Sequence, residues 1–169
     1  IVFEFAEWLG TTPVSVAIQS TLWVTPLLQS IHILMIGVVF TIVLVIALRV
    51  LGRVRADEPL GEIYGRFSPW FWSALCVMFL TGLVLSIAEP VRETHALSFW
   101  IKMTLIVVGI VTSAIFGRTV RAAATADGQV FSGRARAVAM VTVAMWLFII
   151  FLGRAIAYDV EVWGSWHLG

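Results

Sequence analysis

Four apolar runs dominate this chain, at about residues 26–48, 69–88, 96–116 and 137–158. Each is long enough to cross the hydrocarbon core of a bilayer, which takes roughly 20 residues of helix. Lipid offers nothing to hydrogen-bond an exposed backbone, so a segment that crosses it closes its own N–H and C=O groups as an α-helix. The composition agrees: 60% of the 169 residues are hydrophobic and 12% are charged, against about 25% charged in a soluble domain. The expectation is an all-α integral membrane four-helix bundle, one membrane domain over residues 1–169. A formal charge of +1 is too small to argue for a nucleic-acid partner. The single cysteine, Cys76, sits inside an apolar run and rules out an intrachain disulfide.

Residues 1–25 are apolar but interrupted. The stretch 14–24, VSVAIQSTLWV, carries Ser15, Gln19, Ser20 and Thr21, and the opening FEFAEWL carries Glu4 and Glu7. These read as short interfacial helices, the second alternatively as an extension of span one kinked at Pro26. Ser68-Pro69 reads as an N-cap and first helical residue opening span two. The chain begins at Ile1 rather than Met, so its true start is taken as missing or processed.

Charge sets an orientation. Eight of the eleven basic residues, Arg49, Arg53, Arg55, Arg66, Arg118, Arg121, Arg134 and Arg136, fall in the first and third loops. By the positive-inside rule these loops face the cytoplasm and both termini face outward. Trp23, Trp100, Tyr158, Trp163 and Trp166 then fall at the outer edge, and Tyr64, Trp70 and Trp72 at the inner edge. Trp146 lies deeper and reads as packing. Gly109, Ser113 and Gly117, spaced four apart, form a small-residue face that permits close approach of another helix, in this chain or another subunit. Loop basic residues are expected to meet anionic headgroups, and Asp57, Glu58 and Glu62 among them read as a solvated face.

The outer half collects ionisable groups. His32 lies six residues after Pro26 and Lys102 six after Ala96, each about 9 Å along its helix, and Arg154 lies about 6 Å in from Tyr158. His95 opens span three, sharing a face with Phe99 and Lys102. A titratable ring at such depth marks a site by default. A neutral imidazole in a helical bundle suits haem iron, and Lys or Arg at the rim suits haem propionates. His32 is therefore the candidate ligand of a b-type haem, with His95 a second ligand if its loop folds inward, and Lys102 with Arg154 holding propionates. A quinone, hydrogen-bonded by His32 or Lys102, is the second chemical option. The structural alternatives are a His32 that bonds a Ser or carbonyl of a neighbouring helix, with Gln29 and Ser30 on the same seam, and cations that snorkel to the rim. His167 carries no case for function. The chain shows no Gly-rich phosphate loop, Cys pair, His-Glu-x-x-His or nucleophile elbow.

Five motifs carry a resemblance. They are Trp23-x-x-Pro26-x-x-x-Ser30-Ile31-His32-Ile33-Leu34; Leu48-Arg49-x-Leu51-Gly52; Phe79-Leu80-Thr81-Gly82-Leu83; Phe99-Trp100-x-Lys102; and Gly153-Arg154-x-Ile156-Ala157-Tyr158. In this order, over residues 20–158, they resemble a family of small, mostly uncharacterised bacterial four-helix membrane proteins. More distantly the pattern is similar to cytochrome b561-like proteins, the copper-resistance D type and the bacterial membrane protoporphyrinogen oxidase. That similarity implies His32 as a haem ligand, Lys102 as a site residue and residence in the bacterial inner membrane. The b561 type uses several intramembrane histidines where this chain has one, so at most one haem is implied. Function is thus expected to be that of a redox subunit relaying electrons between an outer-side protein partner and quinone. The competing expectation is a non-catalytic anchor or assembly subunit of a larger complex.

Overall fold

The computed structural model describes residues 1–55, 57–122 and 131–164, with side chains left out at 117 and 119–122. Trp166, His167 and the middle of the third loop lie outside the described residues. Every regular element among the described residues is helical: α1 (Val2–Gly10), α2 (Pro13–Ser20), α3 (Val24–Val50), α4 (Leu60–Ala88), α5 (Pro90–His95), α6 (Leu97–Ala122), α7 (Gly133–Ala155), a 3-10 turn (Ile156–Tyr158) and α8 (Asp159–Trp163). Four of these stretches are long and apolar enough to cross a membrane.

α3 packs against both α4 and α7, and α6 packs on α7. The central core is Val39, Ile42 and Val43 from α3, Phe71, Ala74 and Leu75 from α4, and Trp146 and Ile149 from α7. Trp146 is buried as packing, edge-on to Phe71. Gly109 lets α6 close on it: a Cβ there would meet Met145 at 3.3 Å and the indole of Trp146 at 3.5 Å. The small-residue face thus serves a neighbouring span at Gly109, and Cys76 is exposed on the outside of the bundle.

Two boundaries differ from the sequence reading. α4 does not start at Pro69 but runs straight through it, and Ser68 is a buried helical residue rather than a cap. Proline removes one N–H and frees the carbonyl four residues earlier. That residue is the exposed Gly65, where the helix has no packing to lose. Pro26 likewise lies within α3 while α2 is a separate helix, so there is no kinked extension of the first span. Tyr64, expected at the inner edge, is buried beside Phe116.

The two ends of the bundle are closed differently. At one end, α1, α2, α5 and α8 cap the long helices. Ser15, fully buried, donates to the Ile87 carbonyl at 2.7 Å, and Gln19 donates to the Ala88 carbonyl at 2.7 Å. These are carbonyls of the last turn of α4, which a helix end leaves without intrahelical partners. Asp159 accepts from the backbone N–H groups of Leu97 (2.9 Å) and Ser98 (3.0 Å), doing for α6 what an N-cap side chain would do. At the other end, α3 stops in a Schellman turn. Gly52 takes φ +70°, its N–H reaches the Arg49 carbonyl, and the Arg53 N–H reaches the Leu48 carbonyl.

Candidate functional site

The capped end holds the polar cluster. His32, half-buried on α3, faces α4, where its Nδ1 lies 2.8 Å from the Thr81 hydroxyl oxygen. The threonine hydroxyl has one hydrogen, and its oxygen lies 2.8 Å from the Val77 carbonyl and 3.2 Å from that of Met78. A hydroxyl that donates to its own helix accepts from the imidazole, so the ring proton is assigned to Nδ1. The Met78 carbonyl also acts on the ring, and no side-chain partner stands at Nε2 among the described residues. Gly82 makes room for the ring, since a Cβ there would sit 3.3 Å from His32 Cε1.

Lys102 on α6 is half-buried and reaches the same place. Its charge acts on His32 and on Glu93, and its Cδ is the nearest atom to Gly153 of α7, 3.9 Å from where a Cβ would stand. Glu93, on α5, accepts a hydrogen bond from Ser86 Oγ at 3.2 Å. Burial pushes the Glu93 carboxyl above its ordinary range, and Glu89 adds to this. Lys102, the Ser86 hydroxyl and Arg92 pull it back only in part. The cluster therefore runs Ser86, Glu93, Lys102, His32, Thr81, and four helices contribute to it.

Of the residues singled out in the sequence, His32 and Lys102 are brought together. His95 and Arg154 are not. The His95 ring stacks on Phe3 of α1 at 4.6 Å, and its Nδ1 donates to the Val91 carbonyl at 2.8 Å. Arg154 is exposed and lies over the Tyr158 ring at 5.6 Å. Ser30 bonds its own Pro26 carbonyl at 2.8 Å and Gln29 is exposed, so neither joins the seam. Thr81, Ser86 and Glu93 are the members that sequence reasoning missed. Thr81 lies in a quoted motif, and neither Ser86 nor Glu93 stands out by depth or spacing.

What can these residues hold? The donor set offers an imidazole anchored through Nδ1, with no side-chain partner at Nε2 among the described residues, which suits a single axial bond to a metal centre. The charge of Lys102, which acts on the ring from α6, is the one cation of the cluster for an anionic edge. A second imidazole is not at the same place, and no group of three or more metal-ligating side chains occurs among the described residues. The set fits a haem held by one bond from this chain, or a ligand held by hydrogen bonds.

The chain belongs to a family of unknown function, DUF6644, whose model matches residues 4–159. No curated protein and no solved structure matches it.

Proposed function

We propose that this member of DUF6644 is the membrane subunit of a redox system in the bacterial inner membrane. In this reading both termini face outward, and one b-type haem is held by His32 in the outer half of the bundle. The chain relays electrons between an outer-side partner protein and quinone. The observation that carries the reading is the His32 ring itself: Nδ1 fixed by Thr81 at 2.8 Å, with no side-chain partner at Nε2 among the described residues, beside a central core of apolar side chains. A histidine whose far nitrogen is tied to a second residue is oriented and made a better donor. Bound haem supplies one-electron transfer. The residues around it do the rest: Thr81 holds the ring, Lys102 pairs an anionic edge, and the apolar spans keep water out. His95 and Arg154 stand apart from this centre, so the proposal rests on His32 and Lys102.

A second reading is a quinone headgroup hydrogen-bonded between His32 and Lys102. It is favoured by Glu93, whose protonated form burial stabilises, because quinone chemistry moves protons with electrons.

The test is a reduced-minus-oxidised spectrum and pyridine haemochrome assay on gently solubilised native protein, beside His32→Ala. A b-type band at about one haem per chain, lost in a variant that still assembles, is the expected result. A wild type without the band ends the haem reading. Bound quinone in its lipid extract would then support the second reading, and its absence the anchor or assembly subunit.

A further inference from the structure

The opposite end of the bundle carries an arginine that the reading above does not use. Arg49 sits in the last turn of α3 and is 8% exposed, a burial that basic residues tolerate when they are paired. Its partners are neutral. Nε donates to the Glu58 carbonyl at 2.8 Å, and the guanidinium carbon stands 5.7 Å from the centre of the Phe131 ring. One of five N–H groups is thus used. The two terminal nitrogens have no partner among the described residues. They are not sealed in either, since the fully buried side-chain nitrogen left unpartnered among those residues is Trp146 Nε1.

Among the described residues, the nearby acid is already taken. Glu58 pairs with Arg55 at 2.9 Å and with Arg66 at 3.4 Å, while Asp57 and Glu62 are exposed. The carbonyls at the end of α3 give a cation some relief through the helix dipole. But those of Ala47, Leu48 and Arg49 already accept from Leu51, Arg53 and Gly52. Arg53, Arg55, Arg66, Arg118, Arg134 and Arg136 surround this end with further positive charge. A desolvated guanidinium without a counter-ion is strongly unfavourable. The free edge of a guanidinium is a planar fork that matches two oxygens of a phosphate.

We propose that Arg49 is the centre of a phosphate-binding site at this end, in which the free edge of its guanidinium takes two oxygens of a phosphate group. Phosphate reaches such a place as a lipid headgroup or as the free anion. The Leu48-Arg49-x-Leu51-Gly52 motif then has a defined role, because the Schellman turn at Gly52 ends α3 so that Arg49 stands at the level of the loops.

The experiment compares wild type, Arg49→Gln, Arg49→Lys and the exposed-residue control Arg53→Gln in neutral detergent. Mixed micelles of phosphatidylcholine, with or without phosphatidylglycerol, are the lipid probe, and inorganic phosphate is the free one. Retained lipid is counted by native mass spectrometry, and stability is followed by thermal unfolding. The wild type is expected to retain phosphatidylglycerol over phosphatidylcholine and to unfold at higher temperature with it. Affinity should fall about tenfold in Arg49→Gln, less in Arg49→Lys and little in Arg53→Gln. If inorganic phosphate competes and stabilises equally, the site takes the free anion; if it does neither, the site takes the headgroup. A wild type indifferent to both probes overturns the proposal. So does an Arg49→Gln protein that binds as the wild type does. Should Arg49→Gln not fold, the wild-type titration and Arg49→Lys decide: equal binding in Arg49→Lys and Arg53→Gln overturns it.

Discussion

At the scale of single residues, the cluster at the capped end is held by bonds that can be removed one at a time. Thr81→Val keeps the shape of the side chain but deletes the oxygen that receives His32 Nδ1–H at 2.8 Å. A half-buried donor left without its acceptor costs about 1–3 kcal/mol, and chemical or thermal unfolding in detergent should show a loss of that size. Glu93 gives a pH signature. Its folded-state pKa is raised, first by burial, so the unfolded chain releases this proton at lower pH than the folded one. Stability is therefore undiminished while both states are protonated. It falls as pH rises through the unfolded value, and the whole penalty is present above the folded one. Glu93→Gln should remove this fall: the variant should gain stability over wild type as pH rises to neutrality and match it in acid. Parallel unfolding curves at all pH values would refute the assignment. His32 and Lys102 were legible in the sequence because depth alone makes a titratable residue conspicuous in an apolar run. Thr81, Ser86 and Glu93 were not. A threonine in a helix usually bonds its own backbone, and whether it also serves a neighbour depends on helix rotation. Glu93 sits in a six-residue helix whose fold over the bundle no periodicity announces.

At the scale of elements, the long helices were legible from length and hydropathy, and their ends were not. Ser68-Pro69 has the chemistry of a helix start, but a proline whose i−4 carbonyl belongs to an exposed glycine leaves nothing buried unsatisfied, and α4 continues through it. The start of α6 has the opposite problem. Ala96 precedes it and has no side-chain oxygen to cap with, so Asp159, 61 and 62 residues away from its two partners, supplies both bonds. Sequence position gave no sign of this, because a cap delivered from another helix has no fixed spacing. Asp159→Ala should cost about 1–2 kcal/mol, with Asp159→Asn losing less because it keeps one acceptor oxygen. The loss should also appear as faster amide exchange at Leu97 and Ser98, where the orphaned N–H groups lie. Trp163 holds Ser98 Oγ from the same side at 2.8 Å, so the effect should stay confined to this corner.

At the scale of the whole molecule, the two ends are chemically unlike. The capped end is closed by short helices whose apolar side chains remain on the surface, with Phe5 56% and Trp8 60% exposed, and Trp23, just ahead of α3, is 66% exposed. Such rings suit a headgroup layer. The other end carries most of the arginines. The proposed orientation follows from this asymmetry: under the positive-inside rule the arginine-rich loops stay on the cytoplasmic side, which puts the short helices on the outer leaflet. Orientation can be read with an impermeant maleimide, because the lone Cys76 lies within α4 and can be removed as Cys76→Ser. In that background Glu161→Cys, at the exposed edge of α8, should label in intact spheroplasts. Asp57→Cys, in the loop between α3 and α4, should label only after the membrane is opened. Moving the balance of charge should move the answer. Neutralising Arg53, Arg55 and Arg66 together leaves α3–α4 joined by a loop with little reason to stay inside, and a fraction of chains should then label at Asp57→Cys without permeabilisation. Unchanged labelling would mean that the apolar short helices, rather than the arginines, hold the molecule in place.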